Sequence, residues 1–254
     1  MNIFHISDLH YNAKNIIGTE RIERIFTNIK SQDISPDILL ITGDIKNRDY
    51  SDYRPIFKMI EQQNIPFYCI TGNHDNSSEL IKYLSEYAPK HPRSEHENKL
   101  DYVVDEYPLR IIALDSFKEN ISGGELTELQ LAWLEEKLIN NPKSKPTLIM
   151  IHQFTAETGM YFSDVSTKQP WCDKFNDIIS RYKENIKLVA CGHLHNSLIS
   201  SIDCVPIISS FSCSWQAHLD FNPIGNMQEP ERPVGYYIHR WNNNKMISYA
   251  VALT

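Results

Sequence analysis

The chain has 254 residues, 41% apolar and 22% charged, with 25 Lys and Arg against 32 Asp and Glu, a net charge of −7. That balance excludes a disordered, fibrous or membrane-spanning chain and fits one domain spanning residues 1–254. The acidic sign also argues against a stable nucleic-acid complex, because neutralising phosphates takes a basic surface.

Residues 2–6 predict a strand. A helix over 19–31 follows, with Ile22, Ile25, Phe26 and Ile29 on one face. A buried strand over 37–42, a helix over 52–63, a strand over 66–71 and a helix over 77–87 continue the alternation. This β-α-β-α-β rhythm implies parallel strands joined by crossover helices. Two strands, 100–104 and 109–114, then read as a hairpin. A helix over 127–138 opens at Thr127, a residue type that caps the first free N–H groups. Strands over 147–151 and 187–191 flank a helix near 174–182. Strands without helices close the chain: 197–201, 205–209, 236–241 and 246–251, the last two joined by Asn242, Asn243 and Asn244. Residues 221–233 read as a long irregular loop, and Tyr161 and Phe162 sit in a second loop that is either a lid or ordinary loop packing. No internal repeat is visible.

Cys69, Cys172, Cys191, Cys204 and Cys213 are odd in number and show no CxxC spacing, so free thiols in a reducing, cytoplasmic setting are expected. No basic and then apolar leader opens the chain, and the longest apolar runs fall far short of the roughly 18–20 residues that span a bilayer. No membrane association is expected.

The residues that carry chemistry stand where predicted strands end. Strand ends carry Asp8 and His10, then Asp44, then Asn73, His74 and Asp75, then His152, then His193 and His195. In open α/β sheets ligands gather beyond the carboxyl ends of strands. Asp8 and His10, like His193 and His195, are two apart, so an extended chain would project both to one side. Gly43 and Gly72 precede Asp44 and Asn73 and permit sharp turns. Two Asp, one Asn and four His form a nitrogen and oxygen donor set that suits Mn, Fe, Zn or Co. Seven donors are too many for one tetrahedral ion and suit two ions sharing a carboxylate, the arrangement that clamps an in-line phosphoryl displacement.

The ordered set DLH, GD, GNHD, a strand-end His and GHLH resembles the calcineurin-like metallophosphoesterase superfamily. The resemblance spans Asp8 to His195 and implies a four-layer α-β-β-α sandwich, two mixed sheets flanked by helices. It implies that Asp8, His10 and His195 hold one metal, that Asn73, His152 and His193 hold the other, and that Asp44 bridges them. His74 would face the substrate with Asp75 orienting its ring, and Asn73, His74 and His195 would be substrate contacts; His218, in the tail loop, is either a further substrate contact or a surface residue. The implied cofactors are two ions of the Mn²⁺, Fe²⁺/Fe³⁺ or Zn²⁺ type. GDIKNRD and the Asp at the end of GNHD depart from the phosphoprotein phosphatases. The tail, Ser212 to His218 and then Glu231 to Tyr236, is similar to the cyclic-nucleotide phosphodiesterase and glycerophosphodiesterase branch. Residues 206–254 would thus shape the substrate side and help form a homodimer. That branch carries paired His and Pro at the fourth motif, where this chain has His152-Gln153-Phe154, so a substrate-facing position is changed.

The resemblance therefore implies a small phosphodiester as substrate, a 3′,5′-cyclic AMP type of cyclic nucleotide first. A glycerophosphodiester or a phosphomonoester comes second, and a nuclease or a non-enzymatic scaffold last. Away from the motifs, His5 is expected to be structural, His91 and His96 solvated, and Phe211 and Trp215 packing residues.

Overall fold

The computed structural model describes residues 1–219, 221, 228–229 and 232–253. Most of the 221–233 loop lies outside the described residues, as do the Glu231 of the tail motif and the side chain of Phe162.

In chain order, β1 (Asn2–Ile6), α1 (Ile16–Lys30), β2 (Ile38–Ile41), α2 (Arg54–Glu61), β3 (Phe67–Cys69) and α3 (Ser77–Tyr87) realise the predicted alternation. β1, β2 and β3 are mutually parallel. β4 (Tyr102–Val104) and β5 (Arg110–Leu114) pair antiparallel as predicted. α4 (Glu128–Ile139), β6 (Thr147–Ile151), α5 (Tyr161–Thr167), α6 (Pro170–Arg181) and β7 (Ile186–Cys191) follow. The chain ends in β8 (Leu198–Ile202), β9 (Val205–Ser209), the short β10 (Gln216–Ala217) and β11 (Gln228–Glu229), β12 (Val234–Asn242) and β13 (Lys245–Leu253). Asn243 and Asn244 make the last hairpin turn with φ of +48° and +59°, the left-handed pair that a tight hairpin requires.

Two sheets result. One has the order β13-β12-β1-β2-β3 and the other β4-β5-β6-β7-β9-β8. Each mixes parallel and antiparallel pairs. Period-two alternation in the second sheet assigns its faces. Ile111, Ala113, Leu148, Met150, Leu188 and Ala190 join the core shared with the first sheet. Their neighbours Ile112, Leu114, Ile149, Ile151 and Val189 pack instead with Leu134 of α4 and Phe175 and Ile179 of α6. On the other side, the apolar stripe of α1, with Ile56 and Phe57 of α2 and Leu80 of α3, covers the first sheet. The layers are therefore α-β-β-α, as expected. No helix among the described residues is long and apolar enough to cross a membrane.

Three expectations need correction. Residues 161–167 are helical rather than a loop. The turn ahead of α5 is held by the Asp164 carboxylate, which accepts from Thr158 N at 2.8 Å and Gly159 N at 3.2 Å. Seven residues are too short for helical periodicity to show. His91 is buried, not solvated: its Nε2 accepts from Cys69 N at 3.2 Å, on the outer edge of β3, and its Nδ1 donates to Pro92 O at 3.0 Å. His96 contacts Asp101 at 2.7 Å. Polar neighbours in sequence hid both: His91 is buried by its contact with Cys69, 22 residues earlier, and His96 is half-buried by a turn back to Asp101. His5 is structural as expected, fully buried and bonded to Thr42 Oγ1 at 2.8 Å and His239 at 3.1 Å. The cysteines are free; Cys204 is exposed and the other four are buried.

Thr127 caps α4 in a reciprocal box: its hydroxyl accepts from Gln130 N at 3.3 Å, and its own N–H donates to Gln130 Oε1 at 3.1 Å. Thr127→Ala should cost about 1 kcal/mol. In urea unfolding that is a lower midpoint with an unchanged slope; an unchanged midpoint would show that the cap does not limit stability.

Candidate metal centre

The parallel strands of both sheets deliver their carboxyl ends to one seam. β1 leads into Asp8 and His10, β2 into Asp44 and β3 into Asn73 and His74 from the first sheet. β6 leads into His152, and β7 into His193 and His195, from the second. Backbone bonds tie these ends together: Asp8 N donates to Gly43 O at 3.1 Å, His10 N to Asp44 O at 2.9 Å and Gly192 N to His152 O at 3.0 Å.

The side chains do not converge through extended chain, as the spacing alone suggested. Asp8, His10, Asp44, His193 and His195 all have positive φ, between 43° and 72°. Left-handed backbone at non-glycine residues is costly and gathers at functional sites. The glycines do act as expected. A Cβ on Gly72 would overlap Asp44 Oδ1, and one on Gly43 would lie 2.7 Å from His152 Nδ1.

Two donor groups result. In the first, His10 Nε2 and His195 Nε2 are 2.9 Å apart, His195 Nε2 is 3.4 Å from Asp8 Oδ1, and His10 Nε2 is 3.3 Å from Asp44 Oδ2. Asp8, His10, Asp44 and His195 offer ligand atoms within 4.8 Å of one another and could hold a cation. In the second, Asn73 Oδ1 is 2.8 Å from His193 Nδ1 and 3.1 Å from His152 Nε2, and His152 Nε2 is 3.5 Å from Asp44 Oδ1. Asp44 thus turns one oxygen to each group. Ring orientation is fixed from behind: His152 Nδ1 donates to Thr42 O at 2.7 Å, and His195 Nδ1 to Trp215 O at 3.0 Å. Both bonds aim Nε2 into the site, the orientation that metal-binding imidazoles require.

The electrostatics fit a cation pair. Burial pulls the His10 and His193 rings down to about 3, so both are neutral donors at neutral pH. Burial also works against the His152 cation, but the Asp44 carboxylate beside it prevails and pushes this ring up to about 9. Asp44 is held well below the usual carboxylate range: burial opposes its charge, and His152 and His10 outweigh burial. Buried carboxylates facing clustered imidazoles are a fit site for hard or borderline cations.

Asp75 does not orient His74. Its Oδ2 accepts from Gly72 N at 2.9 Å and Ile45 N at 3.1 Å, and its Oδ1 accepts from Tyr53 OH at 3.1 Å. The carboxylate therefore clamps the Gly72 and Asp44 turns onto each other. The His74 ring instead packs edge-on against His10, centroids 4.6 Å apart, and its Nδ1 is buried with no hydrogen-bond partner among the described residues. Burial lowers its pKa. Gln153 does not line the cavity either: it is fully buried, and its Nε2 donates to Ser122 O in the cavity wall at 3.1 Å.

Beside the donors lies a cavity of about 180 Å³. Asn73, His74 and His195 line it; the exposed His218 is not among its lining residues. Ser122, Ser163 and Trp215 line it as well. Trp215 is only half-buried, its ring 3.8 Å from that of His195. Ser122 and Ser163 escape a sequence reading because single serines in loops and short helices carry no pattern. Arg48 also stands at this edge, its guanidinium donating to Asn73 O at 3.1 Å. Its place four residues after Asp44 is a signal that could have found it.

The family model for calcineurin-like phosphoesterases matches residues 1–197, and the chain belongs to that family. A probable glycerophosphodiester phosphodiesterase of Arcobacter nitrofigilis is 28% identical over 252 residues, covering 96% of this chain and 90% of that protein. A probable cyclic nucleotide phosphodiesterase of Synechococcus is 26% identical over 243 residues, covering 93% and 86%. Among solved structures, a purple acid phosphatase from yellow lupin superposes with a TM-score of 0.64 at 14% identity, over 94% of this chain and 49% of the lupin protein. The Thermus thermophilus protein TT1561 gives 0.62 at 13% identity, over 98% of each chain. These superpositions carry the fold alone.

Two outcomes test the centre. Gly72→Ala should drive a methyl into Asp44 and lower bound manganese, read by elemental analysis, with far-UV circular dichroism retained; full loading would separate Asp44 from the site. Because the raised His152 holds a proton up to about pH 9, a cation must displace it. Apparent manganese affinity should therefore rise between pH 7 and 9, by at most roughly tenfold per unit for this one ring. A flat calorimetric profile would show that His152 takes no part.

Proposed function

We propose that the protein hydrolyses small phosphodiesters at a dinuclear metal centre. The observation that carries this reading is the Asp44 carboxylate, with Oδ2 3.3 Å from His10 in one donor group and Oδ1 3.5 Å from His152 in the other. Asp8, His10 and His195 would hold one ion, and Asn73, His152 and His193 the second, with Asp44 shared. A bound pair of such cations supplies a nucleophile at neutral pH and neutralises charge on the phosphoryl oxygens.

The chain's own residues do the rest. His74 lines the cavity beside the donors. As a neutral imidazole it can donate an N–H to a phosphoryl or leaving-group oxygen. Arg48, with one guanidinium arm on Asn73 O, adds positive field at the same edge. Asp75 keeps the turn that presents Asp44 from relaxing. No covalent phosphoenzyme is called for.

A cavity of about 180 Å³ is below the roughly 300–1,000 Å³ of drug-sized sites. That volume, with the likeness to the Arcobacter protein along most of its length, supports a glycerophosphodiester, with a small alcohol on one side of the phosphate. A cyclic nucleotide is the second reading, supported by the half-buried Trp215 ring at the cavity wall, which offers an aromatic surface to a base.

Exhaustive chelation should abolish hydrolysis of bis(p-nitrophenyl) phosphate, and Mn²⁺ should restore it; turnover that survives chelation would overturn the metal reading. A panel of glycerophosphoethanolamine, 3′,5′-cyclic AMP and p-nitrophenyl phosphate then ranks diester classes and monoesters by kcat/KM. His74→Ala should lower kcat by about 10²–10⁴-fold with metal content unchanged. An unaltered kcat would remove His74 from the reaction.

A further inference from the structure

Gln153 follows directly on His152 at the end of β6, and its side chain is fully buried. Its Oε1 accepts from the Ser116 hydroxyl, and its Nε2 donates to the backbone carbonyl of Ser122 at 3.1 Å. These two bonds grip the beginning and the middle of the 116–125 loop. The loop closes on itself where Glu125 N donates to Ser116 O at 2.9 Å. Gly124, at φ +61°, lies flat against the amide: a Cβ there would be 2.7 Å from Gln153 Cδ and 2.5 Å from Ser116 O. Trp171 pins the far end, its Nε1 donating to Gly124 O at 3.0 Å.

This loop is a wall between two spaces. Ser122 faces the cavity at the metal centre. Lys118, Ile121 and Glu125 line a groove of about 490 Å³ on the other side. The wall therefore borders open space on its outer face, and the hydrogen bond from the Gln153 amide to Ser122 O ties its middle to the end of β6. Ser122 shares this cavity with Asp44, Asn73, His193 and His195, so the loop bounds the space left for an ester's organic group.

We propose that Gln153 is a positioning residue that sets which alcohol groups the cavity accepts, by fixing the Ser122 segment of the loop. The proposal rests on the phosphodiesterase reading above. A primary amide is suited to this role. It accepts from one loop residue and donates to another, and it is neutral at every pH at which the protein folds. An apolar side chain of similar length keeps the volume and loses both bonds.

Gln153→Met is the direct test, with kcat/KM measured for glycerophosphoethanolamine and for the bulkier glycerophosphoinositol. Losing both buried hydrogen bonds frees the Ser122 segment and should raise KM for the small diester at least roughly tenfold. The preference for small over large should narrow by a similar factor, with metal content unchanged. Gly124→Ala disturbs the same contact from the loop side and should narrow the preference likewise, which keeps the test valid if the Met variant fails to fold. A preserved preference in a folded variant, even one with a lowered melting temperature, would reduce Gln153 to a structural residue and overturn the proposal. Wild-type protein inactive on every diester would overturn the functional reading, and this inference with it.

Discussion

A single buried carboxylate organises this molecule. Asp44 is almost fully buried at the junction of two sheets, with imidazoles on both sides. A charge removed from water must be paired or neutralised. Here the pairing draws strand ends from separate sheets to one point, since His10 belongs to the first sheet and His152 to the second. The turn that presents Asp44 is left-handed, and Asp75, Gly43 and Gly72 keep it so. Asp75 binds the backbone of both adjoining turns, and the glycines leave the space that Asp44 and His152 occupy.

Support extends outward in layers. Thr42 O holds His152, the Thr42 hydroxyl meets His5, His5 meets His239, and His239 meets Ser248 at 2.8 Å. A chain of polar contacts, buried except at Ser248, thus runs from β13 across the first sheet to His152. Burial keeps both histidines of this chain neutral, so it can carry hydrogen bonds without adding charge. Left-handed backbone at five donor residues stores strain that such packing must offset. Residues set this rigidly can meet a cation pair with little reorganisation.

Donor residues and cavity walls come from different parts of the fold. The donors come from the ends of core strands, where backbone pairing fixes them. The walls of the cavity come from the 116–125 loop, from α5 and from the tail at Trp215 and Ala217. Such segments can vary without moving the donors. One family can therefore include relatives named for glycerophosphodiesters and for cyclic nucleotides.

Much was legible in the chain itself. Apolar periodicity marked most of the strands and helices, because burial on one face leaves a repeat of 2 or 3.6 in the sequence. The ordered donors at strand ends marked the site, because parallel sheets bring their carboxyl ends together. What the sequence could not decide was direction. Whether Asp75 meets His74 or the Gly72 backbone, whether Gln153 faces a substrate or a loop, and whether His91 is wet or buried depend on how segments distant in the chain pack together. Side-chain direction follows from local φ and ψ and from the partners that packing provides, and both exist only once the two sheets have closed on each other.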